Sequence, residues 1–567
     1  MKHIIFEEAE KYKIAVLLKN SAFDKNAIDA NYITPLETMG LSRDSSIAFT
    51  LKYDNGSKVT AKGIKEYLGK LLPVLKELGI DHLYVTDSAY FKTLTNSKKA
   101  EPHFGYVLPC SIKGYEDFKI VLGTNYQALI YNPALESKIT LSLKTLLDSV
   151  QGVYQEIGHG IIHSARYPSS VAAIAESLNL LHQYPQLTSD VEAFSLRFEE
   201  AGIGTISFAW DKHNGIAFAC DYHDLTLTDQ VGYGVNYPNP EVRALLREFF
   251  STYTGEITWH NATYDIKVTI ATLWMRHLLD IEGLLIGLEI MTRHFQDTKI
   301  IAYLATNTTA GNVLGLKALA HEYAGNWAQE EIADITKIPL PELLRYNLVD
   351  ALSTWYVKEK YLPVLIADNQ WEIYQDLFLP SLKTIIQMEL TGMPMSSKRV
   401  EEVAKELEDL RTGYEDTLTN SPVIKMLNLL LQTSEMEKAN AKLKVKQHPL
   451  SKFSDVAFNP NSGPQVQRLL YEQMGLPVLD FTDTKQPATG GDTIEKLINH
   501  TQNPEYKEIL EALIGHGKVG KILSSFIPAF QKGLLKMDGT SYLHGGFNLG
   551  GTVSGRLSSS KPNLQNI

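Results

Sequence analysis

A chain of 567 residues with an apolar fraction of 44% can bury several cores, and at roughly 150 residues apiece it should hold three or four domains. No run approaches the ~18 apolar residues of a membrane span, and Glu7 and Glu8 stand where a signal peptide needs an apolar stretch. Two cysteines, Cys110 and Cys220, exclude a disulfide framework and a Cys-based zinc site, so an intracellular, reduced, cytoplasmic chain is expected. The net charge of −11 argues on average against a polyanionic partner, but the charge is segregated. Residues 441–567 carry 14 Lys and Arg against 10 Asp and Glu, a local balance of +4, so a phosphate-binding surface is expected towards the C-terminus.

Residues 1–165 alternate strand-like and helical runs. Ile14–Leu18, His82–Thr86, Lys119–Leu122 and 128–132 read as strands, and Ala61–Leu78 as a helix broken or kinked at Pro73 and ended by Gly79. An α/β domain follows. It contains no metal cluster, phosphate loop or nucleophile arrangement, which leaves it an accessory or scaffolding role.

From Leu187 the pattern becomes three successive strands, Leu187–Ala193, Gly204–Trp210 and Gly215–Cys220, the last two separated by Asp211, His213 and Asn214. On the first, Asp190 and Glu192 point the same way and Val191 the other, because side chains alternate along a strand. Two carboxylates held that close repel unless a cation lies between them, and hard oxygen ligands suit Mg²⁺ or Mn²⁺. Taken alone, the triplet fits a solvated strand edge better. A helix over Pro240–Tyr253 and a strand over Glu256–His260 come next. A helix to about Leu279 then carries Asn261 and Asp265 at i and i+4, on one face of its head. Helices are expected over Leu284–Ala305 and Leu314–Tyr323, and another after Pro341 carries Tyr346 and Asp350, again i and i+4.

Beyond Leu362 the chain is strongly helical. Leu382–Leu390 leads to a turn at Thr391–Pro394, and Ser397 is placed to cap a helix over Lys398–Thr419. Asn459–Ser462 is expected to cap a helix ending near Gly475, and Asp492 with Glu495 forms an acidic capping box before a helix to about Ile514. Glu435–Lys446, dense in charge, reads as a flexible insertion. By default such paired helices make a structural bundle. The last stretch, Thr552–Ile567, would on composition be a Gly/Ser-rich tail.

Asp190-x-Glu192, Asn261-x-x-x-Asp265 and Tyr346-x-x-x-Asp350, in this order, resemble the three motifs of the DnaQ-like 3′→5′ exonucleases. The resemblance implies an RNase H-like sheet flanked by helices and a site for two Mg²⁺ or Mn²⁺ ions. Asp190 would bridge the ions, Glu192, Asp265 and Asp350 would complete their shells, and Tyr346 would orient the attacking water. Two ions about 3.5–4 Å apart suit phosphodiester hydrolysis, because attacking and leaving oxygens both need charge support. Ala193 stands where that family usually has a hydroxyl residue, which puts in doubt one contact to the terminal nucleotide. Asp297 and Lys317–Leu319 also match family positions, as supporting and packing residues.

Thr552-Val-Ser-Gly-Arg-Leu-Ser-Ser, followed by Pro562-Asn-Leu-Gln-Asn-Ile567, resembles a signature segment of family A (Pol I-type) DNA polymerases, with Thr552 and Ser554 at its T-x-T positions. Phe458–Ser462, the Gly392-Met-Pro turn and Lys518 and Lys521 match that family's thumb. The resemblance spans about residues 170–567 and looks like the phage-type members with an extra N-terminal domain, which for a phage protein means the host cytoplasm. It implies three parts: an α/β accessory domain over 1–165, a 3′→5′ exonuclease domain over 170–362, and a helical thumb with the beginning of a palm over 363–567. Implied partners are a single-stranded DNA 3′ end and a primer-template duplex, with no membrane. Minor-groove acceptors sit in nearly the same places on every Watson–Crick pair, so Arg556 can test pairing without reading sequence. Asn563, Gln565 and Asn566 can bond sugar, base edge or backbone, while Lys518 and Lys521 meet phosphates.

The family's palm strand, fingers helix and later His-Asp-Glu segment do not occur in these 567 residues. The expectation is therefore the N-terminal part of a family A polymerase, competent alone for 3′→5′ excision, with palm and fingers on a second polypeptide. A split gene and a shortened chain fit equally well. The rival reading is a non-catalytic DNA-binding subunit with an inert exonuclease site. A free-standing RNA-trimming nuclease would leave everything after Leu362 without a role.

Overall fold

The structure is a computed structural model that describes residues 2–53, 59–132, 135–225, 233–306, 313–326, 332–441, 443 and 447–566. It resolves into two compact units, Met1–Leu390 with Asn548–Ser558, and Thr391–Phe547 with Ser559–Ile567. Among the described residues no helix is long and apolar enough to cross a membrane.

The first unit opens with a six-stranded sheet. Its elements are β1 (His3–Ile5), β2 (Ile14–Lys19), β3 (Ser46–Leu51), α1 (Ala61–Glu77), β4 (His82–Val85), β5 (Val107–Pro109), β6 (Lys119–Leu122) and α2 (Glu136–Val150). Strand order is β1-β3-β2-β4-β6-β5, with the four central strands parallel and the two edges antiparallel. Parallel strands are covered on both faces, which is why Ile14–Leu18 is apolar without alternation and wholly buried. Two cores result: Leu68, Leu72 and Phe91 lie in one, Val16, Tyr32 and Leu146 in the other. Sheets wound both ways from a central strand often hold ligands at the carboxyl ends beside that strand. Here the place is taken by protein: Lys19 pairs with Asp87 at 3.4 Å and lies 5.1 Å from the Tyr53 ring centroid.

Two expectations for this region need correction. The 128–132 run is not a strand: Tyr126–Ile130 is a 3₁₀ turn begun by the Asn125 side chain, which accepts from the Gln127 N–H at 3.0 Å. Ile130 and Tyr131 remain exposed, so the apolar run has no core to join. Helix α1 continues through Pro73 and ends at Gly79, which holds φ +79°.

The second sheet of this unit carries the acidic residues. Its elements are β7 (Ser164–Arg166), α3 (Val171–Leu181), β8 (Gln186–Glu192), β9 (Thr205–Ala209), β10 (Asn214–Ala219), the short pair β11 (Tyr222–Asp224) and β12 (Gly234–Asn236), α4 (Pro240–Thr252), β13 (Glu256–Trp259), α5 (Ala262–Leu273), α6 (Ile281–Met291), β14 (Phe295–Asp297), α7 (Thr298–Thr306), α8 (Leu340–Ala367) and α9 (Leu379–Thr391). Strand order is β14-β13-β8-β9-β10-β7, with β14, β13 and β8 parallel and β9 antiparallel to both neighbours. The pleat sorts β8: Leu187 and Val191 enter the large core with Phe208, Phe249 and Trp259. Thr188 faces α8 and donates to the Ala351 carbonyl at 2.7 Å. Small residues let α8 lie close, Ala209, Ala217 and Ala351 packing with Leu348 and Leu352.

Strand β14 interrupts the helix expected over Leu284–Ala305, dividing it into α6 and α7. Three residues are too short to show a period, which is why β14 was invisible in the sequence. Helix α5 stops at Leu273 instead of near Leu279; Asp280 then caps α6, accepting from Gly283 N–H at 3.0 Å, and binds Arg276 at 2.6 Å. The expected Leu314–Tyr323 helix is two single turns, Leu316–Leu319 and His321–Ala324. Asp221, fully buried at this sheet's periphery, accepts from the Ile203 and Asn239 amides and from two nitrogens of Arg243 at 2.7 and 2.8 Å. Arg243→Met is expected to destabilise the unit by about 3–5 kcal/mol in chemical denaturation, because it strands that buried charge.

The second unit is a helical bundle with a small sheet. Helices α10 (Ser397–Asn420), α11 (Pro422–Asn440), α12 (Gly491–Ile498) and α13 (Pro504–Lys521) surround Leu418, Leu427, Leu469, Leu497 and Leu510. Strands β15 (Met393–Met395), β16 (Leu534–Leu535) and β17 (Ser541–Leu543) pair in the order β15-β17-β16, so the Thr391–Pro394 turn leads into a strand. The cap of α10 is Ser396, whose hydroxyl accepts from Arg399 N–H at 3.3 Å, and not Ser397. Asp492 lies inside the first turn of α12, and the helix expected to reach Ile514 is broken before Pro504, which starts α13. The stretch expected to be a flexible insertion is helical through Asn440, while 442 and 444–446 lie outside the described residues.

Candidate active site

Ligand oxygens of Asp190, Glu192 and Asp350 lie within 4.8 Å of one another, and among the described residues this is the one carboxylate, histidine or cysteine group of three with metal-site spacing. Three constraints bring it about. The two-residue period puts Asp190 and Glu192 on the α8 face of β8. The Thr188–Ala351 hydrogen bond fixes the height of α8 against that strand. Asp350 then projects from the buried side of α8, 8% exposed.

Asp265 stands beside this group. Its Oδ1 accepts from the Val191 N–H at 3.1 Å, so the head of α5 is tied to the backbone between the two strand acids. Asn347, one helical turn before Asp350, donates to Asp190 Oδ2 at 2.7 Å and is itself gripped by the Thr205 hydroxyl at 3.1 Å. Sequence reasoning passed over Asn347; the available signal was an amide three residues before Asp350, on the same helix face. Tyr346 neighbours Asp350, and the Lys317 ammonium lies 5.1 Å from its ring centroid.

The electrostatics follow from crowding. Burial raises the affinity of all four acids for protons, and their mutual repulsion raises it further for Asp190 and Glu192. Asp190 and Glu192 are pushed well above the ordinary range, Asp265 to about 8 and Asp350 to about 7. Lys317 offsets part of this at Glu192 and Asp350. Such a cluster is costly without counter-charge, and an all-oxygen set of this spacing fits a hard divalent cation.

Asn261 behaves differently from its expectation as a face partner of Asp265. It precedes α5 in the left-handed region, φ +63°, exposed, with its Oδ1 accepting from Lys299 Nζ at 3.0 Å. Asp297 explains the conformation: its carboxylate accepts from the N–H groups of Asn261, Ala262 and Lys299 at 3.1, 2.9 and 2.8 Å, capping two helices at once.

The remaining expected residues are distributed over both units. Thr552 lies in the first unit, where its carbonyl accepts from Tyr303 OH at 2.8 Å and its hydroxyl donates to the Arg556 carbonyl at 2.9 Å. Ser554 and Arg556 are exposed on that turn. Asn548, at the start of the same segment, accepts from Lys299 at 2.8 Å. Lys518 and Lys521 are exposed on the last turn of α13. Asn563 accepts from the Gln565 N–H at 3.0 Å, Gln565 is exposed, and the Asn566 side chain lies outside the described residues.

Residues 429–567, which include this C-terminal signature, match the family model of DNA polymerase family A. DNA polymerase I of Geobacillus stearothermophilus is 26% identical over 331 residues, 57% of this chain and 32% of that one. The DNA polymerase of Bacillus phage SP01 is 25% identical over 378 residues, 60% and 38% of the two chains. A solved structure described as the POL domain of Pol1 from M. smegmatis in complex with DNA primer-template and dNTP aligns with a TM-score of 0.46 at 17% identity, covering 71% of this chain and 56% of that one. The two curated relatives are thus matched over about a third of their own length.

Proposed function

We propose that the chain carries a metal-dependent 3′→5′ exonuclease acting on single-stranded DNA ends, as the proofreading portion of a family A DNA polymerase. The observation that bears most weight is the convergence of Asp190, Glu192 and Asp350 within 4.8 Å from two elements about 160 residues apart. The mixed sheet with helices on both faces supports the RNase H-like part of the reading.

Two Mg²⁺ or Mn²⁺ ions bound there would neutralise the scissile phosphate and lower the pKa of the attacking water. Asp190, Glu192, Asp265 and Asp350 would hold them, with Asn347 fixing the orientation of Asp190 and the Val191 amide that of Asp265. Tyr346 is protonated across the working pH range, since burial and the neighbouring acids raise its pKa, so its hydroxyl can orient water but cannot act as a base. Thr552, Ser554, Arg556, Asn563, Gln565 and Asn566, with Lys518 and Lys521, form the duplex-contacting set of this reading, and Asn261 contacts the single strand. Palm and fingers, supplied to the same primer end, are its partners.

The test is release of mononucleotides from the 3′ end of a labelled single-stranded oligonucleotide, with Mg²⁺ and with EDTA. Mg²⁺-stimulated release is expected, and Tyr346→Phe should lower kcat by about 10²-fold at unchanged KM. Equal release with and without metal would overturn the reading; a protein that binds DNA without cutting it would favour the inert subunit.

A further inference from the structure

The segment that carries Lys317 is held from two sides. Leu316–Leu319 and His321–Ala324 are single helical turns joined at Ala320, which ends one and begins the other. A helix this short has little stability of its own, so its place is set by what it packs against. On the side of the second sheet, Leu319 and Ala320 are buried with Ala302 of α7 and Val357 of α8. The Tyr323 ring stacks there on Tyr356, centroids 4.7 Å apart.

The other side is made by the first sheet. His321 Nε2 donates to the Phe104 carbonyl, just before β5, at 2.8 Å. The Tyr106 hydroxyl accepts from the Asn326 N–H at 2.5 Å, and its ring leans on His321 with centroids 6.4 Å apart. These hydrogen bonds join residues 217 and 220 positions apart, so they tie one sheet to the other. Gly158, beyond α2, comes so near that a Cβ there would stand 2.5 Å from the Ala324 carbonyl oxygen. Ala324 is in turn buried with Ile161 and with Val349, the neighbour of Asp350 on α8.

What the segment presents to the carboxylates is Lys317. Its ammonium lies 5.1 Å from the Tyr346 ring centroid and eases the charging of Glu192 and Asp350. Only Ala320 separates the two turns, so a shift of the second passes directly to the first. We propose that the N-terminal sheet is a brace for the carboxylate site, with Tyr106 and His321 as positioning residues that keep Lys317 against Tyr346. This gives the domain a part in the chemistry without a reactive group of its own. The catalytic half of the proposal rests on the excision reading; the placement of Lys317 does not.

Placement is tested on the full chain, without metal, by acetylation with an N-hydroxysuccinimide ester read residue by residue in mass spectrometry. Lys317 is expected to label about fivefold faster in His321→Ala and in Tyr106→Phe. His321→Gln, whose amide can donate to the same carbonyl, should restore the wild-type rate. Lys267, 15% exposed on α5, should not change in any of them. In the nuclease assay both variants should lose about tenfold in kcat at unchanged KM, and lose nothing further in a Lys317→Met background. Unchanged labelling of Lys317, or equal acceleration at Lys267, would overturn the brace. Losses that add to that of Lys317→Met would overturn its route through Lys317. A wild type without metal-dependent release would instead end the excision reading, and the labelling would still decide the placement.

Discussion

Asp190→Ala is expected to reduce Mg²⁺-dependent release of 3′ nucleotides by at least about 10³-fold while leaving the protein folded. The size of the loss follows from position. Asp190 is central in the cluster, flanked by Glu192 on its own strand and by Asp350 across from it, and its carboxylate is the one that Asn347 holds at 2.7 Å. Folding should survive because the substitution relieves repulsion instead of creating it: the side chain is on the α8 face, while Leu187 and Val191 carry the strand's packing into the large core. Circular dichroism and thermal melting of the variant, read beside the nuclease assay, separate the two effects. Wild-type activity in Asp190→Ala would dissolve the site.

A second large effect concerns stability and pH in the absence of metal. A carboxyl group whose pKa is raised by folding remains protonated in the folded state at pH values where the unfolded chain has already released the proton. Its contribution to stability is therefore complete below about pH 4 and is lost as pH rises towards the folded values, about 7 at Asp350 and about 8 at Asp265. Each such group costs about 1.4 kcal/mol per pH unit over that window, on the order of 4 kcal/mol in all for Asp350. In EDTA the melting temperature of the first unit should fall between pH 5 and pH 8. Mn²⁺ or Mg²⁺ should restore it, most at the alkaline end, where the acids are charged and bind a cation best. Asp350→Asn removes one titrating group, so its metal-free profile should be flatter and its stability at pH 8 higher than wild type, with activity lost. A metal-free profile that is flat in the wild type would mean that the four acids do not share a buried site.

These expectations rest on residues of unequal legibility. Asp190, Glu192, Asp265, Tyr346 and Asp350 could be marked in the sequence because together they resemble three exonuclease motifs; strand and helix periods, being local rules, put each pair on one face of one element but did not by themselves make it a site. Asn347 was harder, since an amide on a helix has many ordinary uses and only the strand lying across it reveals what it holds. The edge strands His3–Ile5, Val107–Pro109 and Phe295–Asp297 are three residues long, below the length at which alternation can be counted. Ser46–Leu51 is buried along its whole length, with Ser46 and Thr50 inside among the apolar residues, so it shows no alternation of apolar and polar positions. The broken helices at Trp274, Asn499 and Met291 are decided by caps and pairings such as Arg276–Asp280, which act after the chain has come together.

Asn548–Ser558 belongs to the first compact unit although the chain on either side of it belongs to the second. Tyr303 and Lys299 are its moorings. Covalent sequence and mechanical sequence therefore part company: the turn bearing Arg556 is anchored on the helix that follows Asp297, the same aspartate that seats the head of α5 and with it Asp265. A cut anywhere between residues 391 and 547 would leave a contiguous piece lacking part of its own foundation. A shift of that turn has a route of three covalent neighbours, Asp297 to Lys299, to the ground on which the acidic cluster stands.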